Sequence, residues 1–389
     1  MPVINRIAEF HDEMTGWRRD FHMHPELAFE EHRTAGIVAE KLKEFGVDEV
    51  HTGIGRTGVV GVIKGRPGAG TIGLRADMDA LPIFEETGAD HASRTPGKMH
   101  ACGHDGHTTM LLGAAKYLAE TRNFDGTVHL IFQPAEENYG GAKVMIDDGL
   151  FEKFPCDEVY GIHNMPNVPT GIFSWKVGPM MAAVGNFIIT IKGRGAHGAF
   201  PHHGLDPIPA AAAIVLALQS IVARNVDPLE SGVISVCGMK GGEAFNVTPP
   251  SVELKGTTRW FSPKVGDILH ERLNTVAKSL AEGLGCTADI WYDRMYPATI
   301  NHAEQTAKAE KVAAEVAGEA RVRELPAPVM GGEDFAFMLE KRPGSYLYLG
   351  GGKTESDPNV HHPKYDFNDE ILPIGASYLA RVAERLLAK

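Results

Sequence analysis

The chain has 389 residues, of which 43% are hydrophobic and 23% charged, a composition that is ordinary for a soluble globular enzyme. This length is too great for one compact core and predicts two or three domains. The formal net charge of -12 argues against nucleic acid or an anionic membrane as a partner, because both require basic surface. We also expect no membrane span, because no apolar run approaches the ~20 residues that one requires.

Cysteine usage and the start of the chain indicate a cellular compartment. Cys102, Cys156, Cys237 and Cys286 lie far apart in the sequence, which fits reduced thiols better than a disulfide framework. The first ten residues show no signal-peptide pattern. We therefore expect a cytoplasmic protein in which the last three cysteines are small buried hydrophobes.

The N-terminal part of the chain predicts two helices and two strands. Amphipathic patterns over residues 3–22 and about 30–46 predict helices, and Pro25 separates them because proline disfavours helix in the residue before it. Two short β-branched runs follow, at residues 58–64 and 71–75. A glycine-rich connection joins these runs, so we predict that they form a hairpin.

Residues 100–118 place a thiol, several imidazoles and a carboxylate directly before an apolar, helix-periodic segment. Cys102 and His104 are spaced so that an irregular loop can direct both at one metal ion. Asp105, or a threonine just after it, is a candidate cap for the helix that follows. Apolar residues recur there at three- and four-residue intervals, which predicts that this helix has one buried face.

Polar, ligand-type residues follow three apolar strands, which are predicted at residues 71–75, 126–132 and 158–162. Open α/β sheets place their ligand sites at the carboxyl ends of the strands, so these residues are expected to lie at one edge. The residues concerned are Asp77, Asp79, Glu136, Glu137 and His163.

A second, smaller fold is predicted inside the first. Its predicted elements are strands at 186–192, 232–236, 252–260 and 286–291 and helices at 206–224 and 263–283. Their order is β-α-β-β-α-β, the split βαβ or ferredoxin-like arrangement. The fold class is therefore α/β, with a discontinuous, mixed-sheet α/β domain over residues 1–181 and 297–389. An α+β domain over residues 182–296 interrupts it.

The number of donor residues exceeds what a structural zinc site needs. One cysteine, several histidines and adjacent carboxylates suit two metal ions or one open catalytic ion better than a closed four-ligand site. Two further histidines, His361 and His362, come from a late loop. Glu136 and Glu137 lie on an irregular segment and point in different directions, so one can bind metal while its neighbour takes a proton from water.

The chain resembles the metal-dependent amidohydrolases related to aminoacylase, glutamate carboxypeptidase and succinyl-diaminopimelate desuccinylase. It is most similar to the hippurate hydrolase and N-acyl-amino-acid amidohydrolase branch, which includes the plant indoleacetyl-amino-acid hydrolases. The resemblance spans nearly the whole chain in the right order. The matching motifs are Arg75-Ala-Asp-Met-Asp-Ala-Leu-Pro82, His100-Ala-Cys-Gly-His-Asp-Gly-His107, Gln133-Pro-Ala-Glu-Glu137, Gly161-Ile-His163, Gly195-Ala-His-Gly-Ala-Phe-Pro201, Gly331-Gly-Glu-Asp-Phe335 and His361-His-Pro-Lys-Tyr-Asp-Phe367.

The resemblance implies two divalent metal ions, which could be manganese, zinc, cobalt or nickel. The implied metal ligands are Cys102, His104, Glu137, His163 and His361. Glu136 is the implied general base, and Asp79 the residue that orients or tunes a ligand. The choice of His361 over His362 rests on its position before the Pro-Lys-Tyr-Asp run. Asp77 stands where the dipeptidase relatives have a histidine ligand, which leaves its role open.

For the inserted domain the resemblance implies a lid and dimerisation domain, and hence a homodimer or homotetramer. His197 is implied to stabilise the oxyanion, in relatives often across a dimer interface. Asn246 and Arg259 are implied substrate contacts, since an arginine can hold an α-carboxylate by a bidentate pair. A surface salt bridge is an equal alternative for Arg259. Asp334 follows two glycines and a glutamate, and is expected simply to begin a helix.

The implied reaction is hydrolysis of the amide bond of a hippurate-like or N-acetyl amino acid to a carboxylic acid and a free amino acid. A metal-dependent dipeptidase or carboxypeptidase on the same scaffold is the nearest alternative. A non-catalytic metal-binding or amino-acid-binding protein is a remote one, because it gives no reason for Glu136 beside the ligands.

Overall fold

The computed structural model describes residues 3–354 and 356–388. The chain divides into two compact units. The first unit is Met1–Met180, Thr299–Pro328 and Asp334–Lys389, and the second is Met181–Ala298 and Val329–Glu333. The predicted boundaries at 181/182 and 296/297 lie within two residues of the observed boundaries after Met180 and after Ala298. The sequence did not predict that residues 329–333 belong to the second unit. Residues 1, 2 and 389, which the prediction placed in the first domain, lie outside the described residues.

Helices and strands are numbered here in chain order. The helices are α1 (Asn5–Ala8), α2 (His11–Met23), α3 (His32–Glu44), α4 (His104–Thr121), α5 (Glu136–Tyr139), α6 (Gly141–Asp147), α7 (Leu150–Lys153), α8 (Pro207–Asn225), α9 (Pro263–Gly283), α10 (Ala303–Ala317), α11 (Ala336–Lys341) and α12 (Leu372–Leu386). The strands are β1 (Glu49–Ile54), β2 (Gly58–Lys64), β3 (Arg66–Asp77), β4 (Asp125–Gln133), β5 (Glu158–Pro169), β6 (Phe173–Trp175), β7 (Gly178–Met181), β8 (Ala183–Lys192), β9 (Ala196–His197), β10 (Gly232–Lys240), β11 (Val247–Thr248), β12 (Ser251–Trp260), β13 (Thr287–Tyr296), β14 (Thr299–Asn301), β15 (Val322–Glu324) and β16 (Gly344–Gly352).

The first unit is built on a mixed sheet, as the sequence predicted, and this sheet has eight strands. Its strand order is β1-β2-β4-β3-β5-β16-β6-β15. The neighbours β4, β3 and β5 are parallel to one another, and Asp77 at the end of β3 lies opposite Gln133 at the end of β4. The carboxyl ends of these three strands therefore meet at one edge of the sheet.

The predicted hairpin between residues 58–64 and 71–75 is wrong. Strand β4 lies between β2 and β3, antiparallel to the first and parallel to the second. The hairpin partner of β2 is instead β1, a strand that the sequence analysis did not predict. Residues Val128 to Phe132 of β4 are buried, whereas β1 is largely exposed. A strand that is apolar on both faces takes a central place, and a more polar strand takes the edge.

Helix α4 is buried on nearly every side, not on one face as predicted. Met110, Leu111 and Leu112, which are consecutive and so point in different directions, are all fully buried. Helices α2 and α12 contribute to the same core and pack against α4. Asp105 does not cap the helix, because no side chain of the described residues caps its N-terminus and the Asp105 carboxylate binds His22 instead.

The second unit has the predicted βαββαβ order. Its four-stranded antiparallel sheet has the order β10-β12-β8-β13, and α8 and α9 pack against it and against each other. Asp206 and Ser262 cap the two helices by accepting hydrogen bonds from Ile208 N and Val265 N. Cys237 on β10 is exposed, so the expectation that it is buried was wrong.

Helix α8 corrects one expectation from composition. It has 19 residues and is long and apolar enough to cross a membrane, by length and composition only. The statement that no apolar run approaches this length was therefore wrong. A core helix of a folded domain passes the same test, and Ile214, Leu218 and Ile221 of α8 belong to the core of the second unit.

A buried group of charged residues joins α2 to the start of α4. Arg18 Nε lies 2.7 Å from Asp369 Oδ1, and Arg18 Nη1 lies 3.6 Å from Asp105 Oδ2. His22 Nδ1 lies 2.8 Å from Asp105 Oδ2, and its Nε2 lies 3.3 Å from Glu85 Oε1. Burial opposes the positive charge of His22, but the hydrogen bonds to the two carboxylates outweigh it and raise its pKa to about 9.

The raised pKa of His22 predicts a pH-dependent contribution to stability. Because the folded-state pKa exceeds the ordinary 6.5, the contribution is complete below pH 6.5 and is lost as the pH rises through about 9. The rise corresponds to about 3 kcal/mol. We expect His22→Gln to lower the unfolding temperature more at pH 6 than at about pH 9.5, as measured by thermal denaturation of both proteins. A loss that is the same at both pH values would contradict this assignment.

Candidate metal centre

The five residues expected to bind metal form two groups in the first unit, and the groups share one member. The donor atoms of Cys102, His104 and His163 all lie within 4.8 Å of one another, and so do those of Cys102, Glu137 and His361. Thiolate, imidazole and carboxylate are the donors that zinc and related divalent ions accept in proteins. The residue set therefore fits a metal centre with Cys102 in both groups.

Gly103 allows the loop before α4 to present a ligand on each side of it. Its φ of +92° is left-handed, and a Cβ there would lie 2.3 Å from Asn164 Oδ1. Cys102 Sγ lies 3.4 Å from His163 Nε2, and His104 is the first residue of the helix. Burial raises the pKa of the Cys102 thiol, so the thiol stays protonated until a bound cation favours the thiolate.

His361, not His362, lies among the candidate ligands. His361 Nε2 is 3.1 Å from Glu137 Oε1, and its backbone N donates to Ala101 O at 2.7 Å. Its φ of +67° is unusual for a residue other than glycine, and such strain is common at functional sites. His362 Nδ1 accepts a hydrogen bond from Lys364 N, and His362 belongs to none of the donor groups found in residues 3–354 and 356–388.

Asp79 positions both the His104 ring and the start of α5, the short helix that carries the two glutamates in place of the expected irregular segment. Its Oδ1 accepts a hydrogen bond from Glu136 N at 3.0 Å, and its Oδ2 accepts one from Glu137 N at 2.9 Å. His104 Nδ1 lies 2.9 Å from Asp79 O and 3.2 Å from Asp79 Oδ1. The other ring nitrogen, His104 Nε2, is buried and has no hydrogen-bond partner in the described part of the chain. A bound metal ion would satisfy this orphaned nitrogen.

Glu136 lies beside the candidate ligands but in neither group that contains Cys102. Its carboxylate forms a further group of close donors with His104 and Glu137. The side chain is buried, and Asp334 N donates to its Oε1 at 3.4 Å. Glu136 is thus held next to the place where Cys102, His104 and Glu137 meet.

Asp77, whose role the sequence left open, is a fully buried anion between a guanidinium and two imidazoles. Arg75 Nη1 donates to Asp77 Oδ2 at 2.7 Å, and His107 Nδ1 lies 2.6 Å from Asp77 Oδ1. His104 Nε2 is 3.7 Å from Asp77 Oδ2. Burial opposes the charge, but Arg75, His104 and His107 outweigh it and hold the pKa of Asp77 well below its usual range. Asp77 therefore supports the site from the sheet side in its ionised form.

Asp334 corrects the expectation that it simply begins a helix. Helix α11 begins at Ala336, and Asp334 is fully buried. Its Oδ1 accepts hydrogen bonds from Arg75 Nη2 at 3.1 Å and from Gln133 Nε2 at 2.8 Å. Asp334 thus anchors β3 and β4 at the edge where the candidate ligands gather.

The sequence did not predict a series of buried hydrogen bonds that links His107, Asn164 and Tyr365 next to the candidate ligands. His107 Nε2 lies 2.6 Å from Asn164 Oδ1, and Asn164 Nδ2 donates to Tyr365 OH at 2.6 Å. His107 and Tyr365 lie within the motifs that carried the family resemblance, and Asn164 directly follows one of them. Their presence there was a signal, but their partners are distant in sequence, so spacing alone could not identify the contacts.

The three expected substrate contacts lie in the second unit. The β9–β11 ladder places His197 opposite Val247, and Gly198 N donates to Asn246 O at 2.7 Å. Among the described residues Arg259 donates to neutral oxygens alone, those of Thr257, Thr258 and Met330. No carboxylate pairs with Arg259 within the described ranges, so the alternative of a surface salt bridge finds no partner there.

Comparisons with known proteins identify a matching family and similar sequences and structures. Residues 73–385 match Peptidase family M20/M25/M40. The chain is 44% identical over its full length to a hippurate hydrolase of Campylobacter jejuni, of which it covers 100%. It is 40% identical to an N-acetyl-L-cysteine deacetylase of Bacillus subtilis, covering 98% of this chain and 90% of the relative. A dinuclear metal-binding M20 peptidase of Bacillus subtilis has a similar structure, with a TM-score of 0.82, 35% identity and coverage of 98% of this chain and 99% of that one.

The sharing of Cys102 between both donor groups predicts its effect on metal binding. We expect Cys102→Ala to lose most of its divalent metal, because the substitution removes a ligand from each group. Cys156→Ala removes another buried thiol of the same unit, outside the donor groups, and should retain the metal. Mass spectrometry of the metal content after dialysis measures both variants. Equal metal content in the two would contradict the assigned site.

Proposed function

The chain belongs to Peptidase family M20/M25/M40, and we propose that it hydrolyses the amide bond of N-acyl amino acids. The products are a carboxylic acid and a free amino acid. The observation that carries the proposal is the place of Glu136, a buried carboxylate next to two donor groups that share Cys102. A binding protein would need the metal ligands but would have no use for this carboxylate.

The relatives support the substrate class. Hippurate is N-benzoylglycine, and N-acetylcysteine is an acetylated amino acid, so the names of both relatives denote N-acyl amino acids. The first relative matches the chain from end to end. We therefore infer that the substrate combines a small acyl group with a free α-carboxylate.

The site takes divalent metal ions, and we infer two of them. Cys102, His104 and His163 would hold one, and Cys102, Glu137 and His361 the other. Manganese, zinc, cobalt and nickel all accept this mixture of sulfur, nitrogen and oxygen donors.

Glu136 carries the proton in this proposal. Bound divalent ions polarise the amide carbonyl and lower the pKa of water toward ~7. Glu136 accepts the proton of the attacking water and delivers it to the departing amine. Asp79 serves the same step indirectly, because its two oxygens hold the backbone N–H groups of Glu136 and Glu137.

Residues of the second unit supply substrate contacts. His197 Nδ1 accepts a hydrogen bond from Ala199 N at 3.1 Å, so in the neutral ring the proton lies on Nε2. That N–H can donate to an oxyanion, a contribution worth about 3 kcal/mol in other enzymes. Arg259 donates to neutral oxygens and has no carboxylate partner in the described part of the chain, so it is suited to bind the substrate α-carboxylate, with Asn246 as a further contact.

Comparing substrates tests the proposal, and Glu136→Gln tests its mechanism. The metal-loaded enzyme should show higher kcat/KM for N-benzoyl and N-acetyl amino acids than for dipeptides. Glu136→Gln should keep its metal but lose about 10²- to 10⁴-fold in kcat, because it can no longer accept the proton. Faster cleavage of dipeptides would favour the peptidase alternative, and near-normal turnover by Glu136→Gln would contradict the proposed base.

We also propose that the second unit joins two copies of this chain. Strand β10 is an edge of the four-stranded sheet, and Lys240 at its end is its only charged residue. Natural edges are usually protected by charges, so an edge without them favours pairing with another strand. Helix α8 packs beside β10 and exposes apolar side chains, with Leu216 75% exposed. A second copy related by a two-fold axis would cover both features.

A charge on the exposed face of α8 tests this association. Leu216→Asp should convert the dimer to a monomer, because it places an unpaired carboxylate in the apolar contact. Leu229→Asp is the matched control, since Leu229 is 96% exposed in the same unit but lies outside α8 and β10. Light scattering coupled to size-exclusion chromatography measures the mass. A monomeric native protein, or an unchanged dimer in Leu216→Asp, would contradict the proposed contact.

A further inference from the structure

Glu31, in the N-terminal part of the chain, is a fully buried carboxylate that contacts Ala135, the residue directly before α5 and Glu136. Its Oε1 accepts a hydrogen bond from Ala135 N at 2.9 Å, and its Oε2 accepts one from Thr57 Oγ1 at 2.5 Å. Within the described ranges no lysine, arginine or histidine forms an ion pair with Glu31. Its buried charge is therefore stabilised by hydrogen bonds from the protein and not by a cation.

The segment before α3 holds Glu31 in place. Glu26 accepts hydrogen bonds from Arg33 N and Thr34 N through its two carboxylate oxygens, at 2.9 and 2.8 Å. The Glu26 carbonyl accepts one from Ala80 N at 2.8 Å. These contacts tie the start of α3 to the residues that follow β3. Glu31, directly before α3, is thereby placed at the loop after β4.

Together Glu31 and Asp79 bind three successive backbone N–H groups. Glu31 accepts from Ala135, and Asp79 accepts from Glu136 and Glu137. Ala135 has a φ of +54°, a left-handed conformation that alanine rarely adopts. The surroundings must hold such a conformation, and the hydrogen bond to Glu31 is one contact that does so. This turn sets the direction in which the next residue, Glu136, leaves the backbone.

The surroundings of Glu31 disfavour the charged form of its carboxyl group. Burial and the neighbouring Asp79 carboxylate raise the pKa of Glu31 to about 7. A buried, poorly neutralised acid is typical of functional sites more than of ordinary cores.

We propose that Glu31 is a positioning residue that orients Glu136 through the backbone of Ala135. This inference rests on the proposed role of Glu136 as the base. Within the described ranges the Glu31 carboxylate accepts hydrogen bonds from Ala135 and Thr57 and from no candidate ligand, and Glu137 N is held by Asp79. Loss of Glu31 should therefore slow proton transfer while substrate binding and metal content stay close to native values.

Kinetics of three substitutions test the proposal. Glu31→Ala should lower kcat by about 10- to 100-fold with little change in KM, because small displacements of a reacting group have effects of this size. Glu31→Gln keeps an oxygen that can accept from Ala135 N, and should restore most of kcat. Glu31→Asp keeps the charge but withdraws it by one methylene group. It should lower kcat, and it serves as the test if Glu31→Ala does not fold.

A matched control separates positioning from general destabilisation. Glu384 is another buried carboxylate of the first unit, which accepts hydrogen bonds from Tyr117 and Arg381, away from the candidate site. Glu384→Ala should lower the unfolding temperature and leave kcat unchanged. If Glu384→Ala lowers kcat as much as Glu31→Ala does, the loss reflects destabilisation and the inference is overturned.

The double variant Glu31→Asp/Glu136→Gln gives the sharpest test. If Glu31 acts only through Glu136, the double variant turns over as slowly as Glu136→Gln alone. A further drop would overturn the inference, as would native kcat in Glu31→Asp or a parallel loss of metal and kcat. These outcomes leave the proposed function standing. A native enzyme without activity on N-acyl amino acids would instead overturn the proposed function and this inference with it.

Discussion

The candidate site depends on one constraint, the parallel alignment of β4, β3 and β5 in the middle of the sheet. Parallel neighbours end at the same edge, so residues that follow one strand meet those that follow the next. Asp77 and Gln133 are opposite each other for this reason, and His163 lies on the adjacent strand β5. The loop before α4 brings Cys102 and His104 to the same edge, as their contacts with His163 and Asp79 show.

Many ionisable groups are buried at this edge, and this is possible because most of them have partners. Arg75 lies between Asp77 and Asp334, and Asp77 also meets His107. Removing one member of a buried ion pair typically costs about 3–5 kcal/mol, because the other charge is left uncompensated. Such networks contribute little net stability but allow few alternative arrangements. The rigid backing that they form is what a metal centre requires of its surroundings.

The sequence predicted elements well where the evidence was local. The sequence predicted a helix over residues 263–283, the range of α9, and the complete βαββαβ order of the second unit. The predictions were wrong where the pairing of a strand or the burial of a helix depended on other elements of the fold. The pairing of β2 with β4 instead of β3, and the burial of α4 on almost all sides, follow from elements that arrive later in the chain. The sequence of a helix does not show how many other helices will pack against it.

By itself the sequence determined which residues could donate to a metal and which strands and helices would carry them, because residue type and spacing are local properties. Only the tertiary structure decided which donors converge. It placed Cys102 in two donor groups, brought the predicted His361 next to Glu137, and placed Asp334 in the core instead of at a helix start. It also joined Glu31 to Ala135, which are separated by 104 positions. Such contacts depend on how the whole sheet packs, since a hydrogen bond between distant residues leaves no pattern in the residues between them.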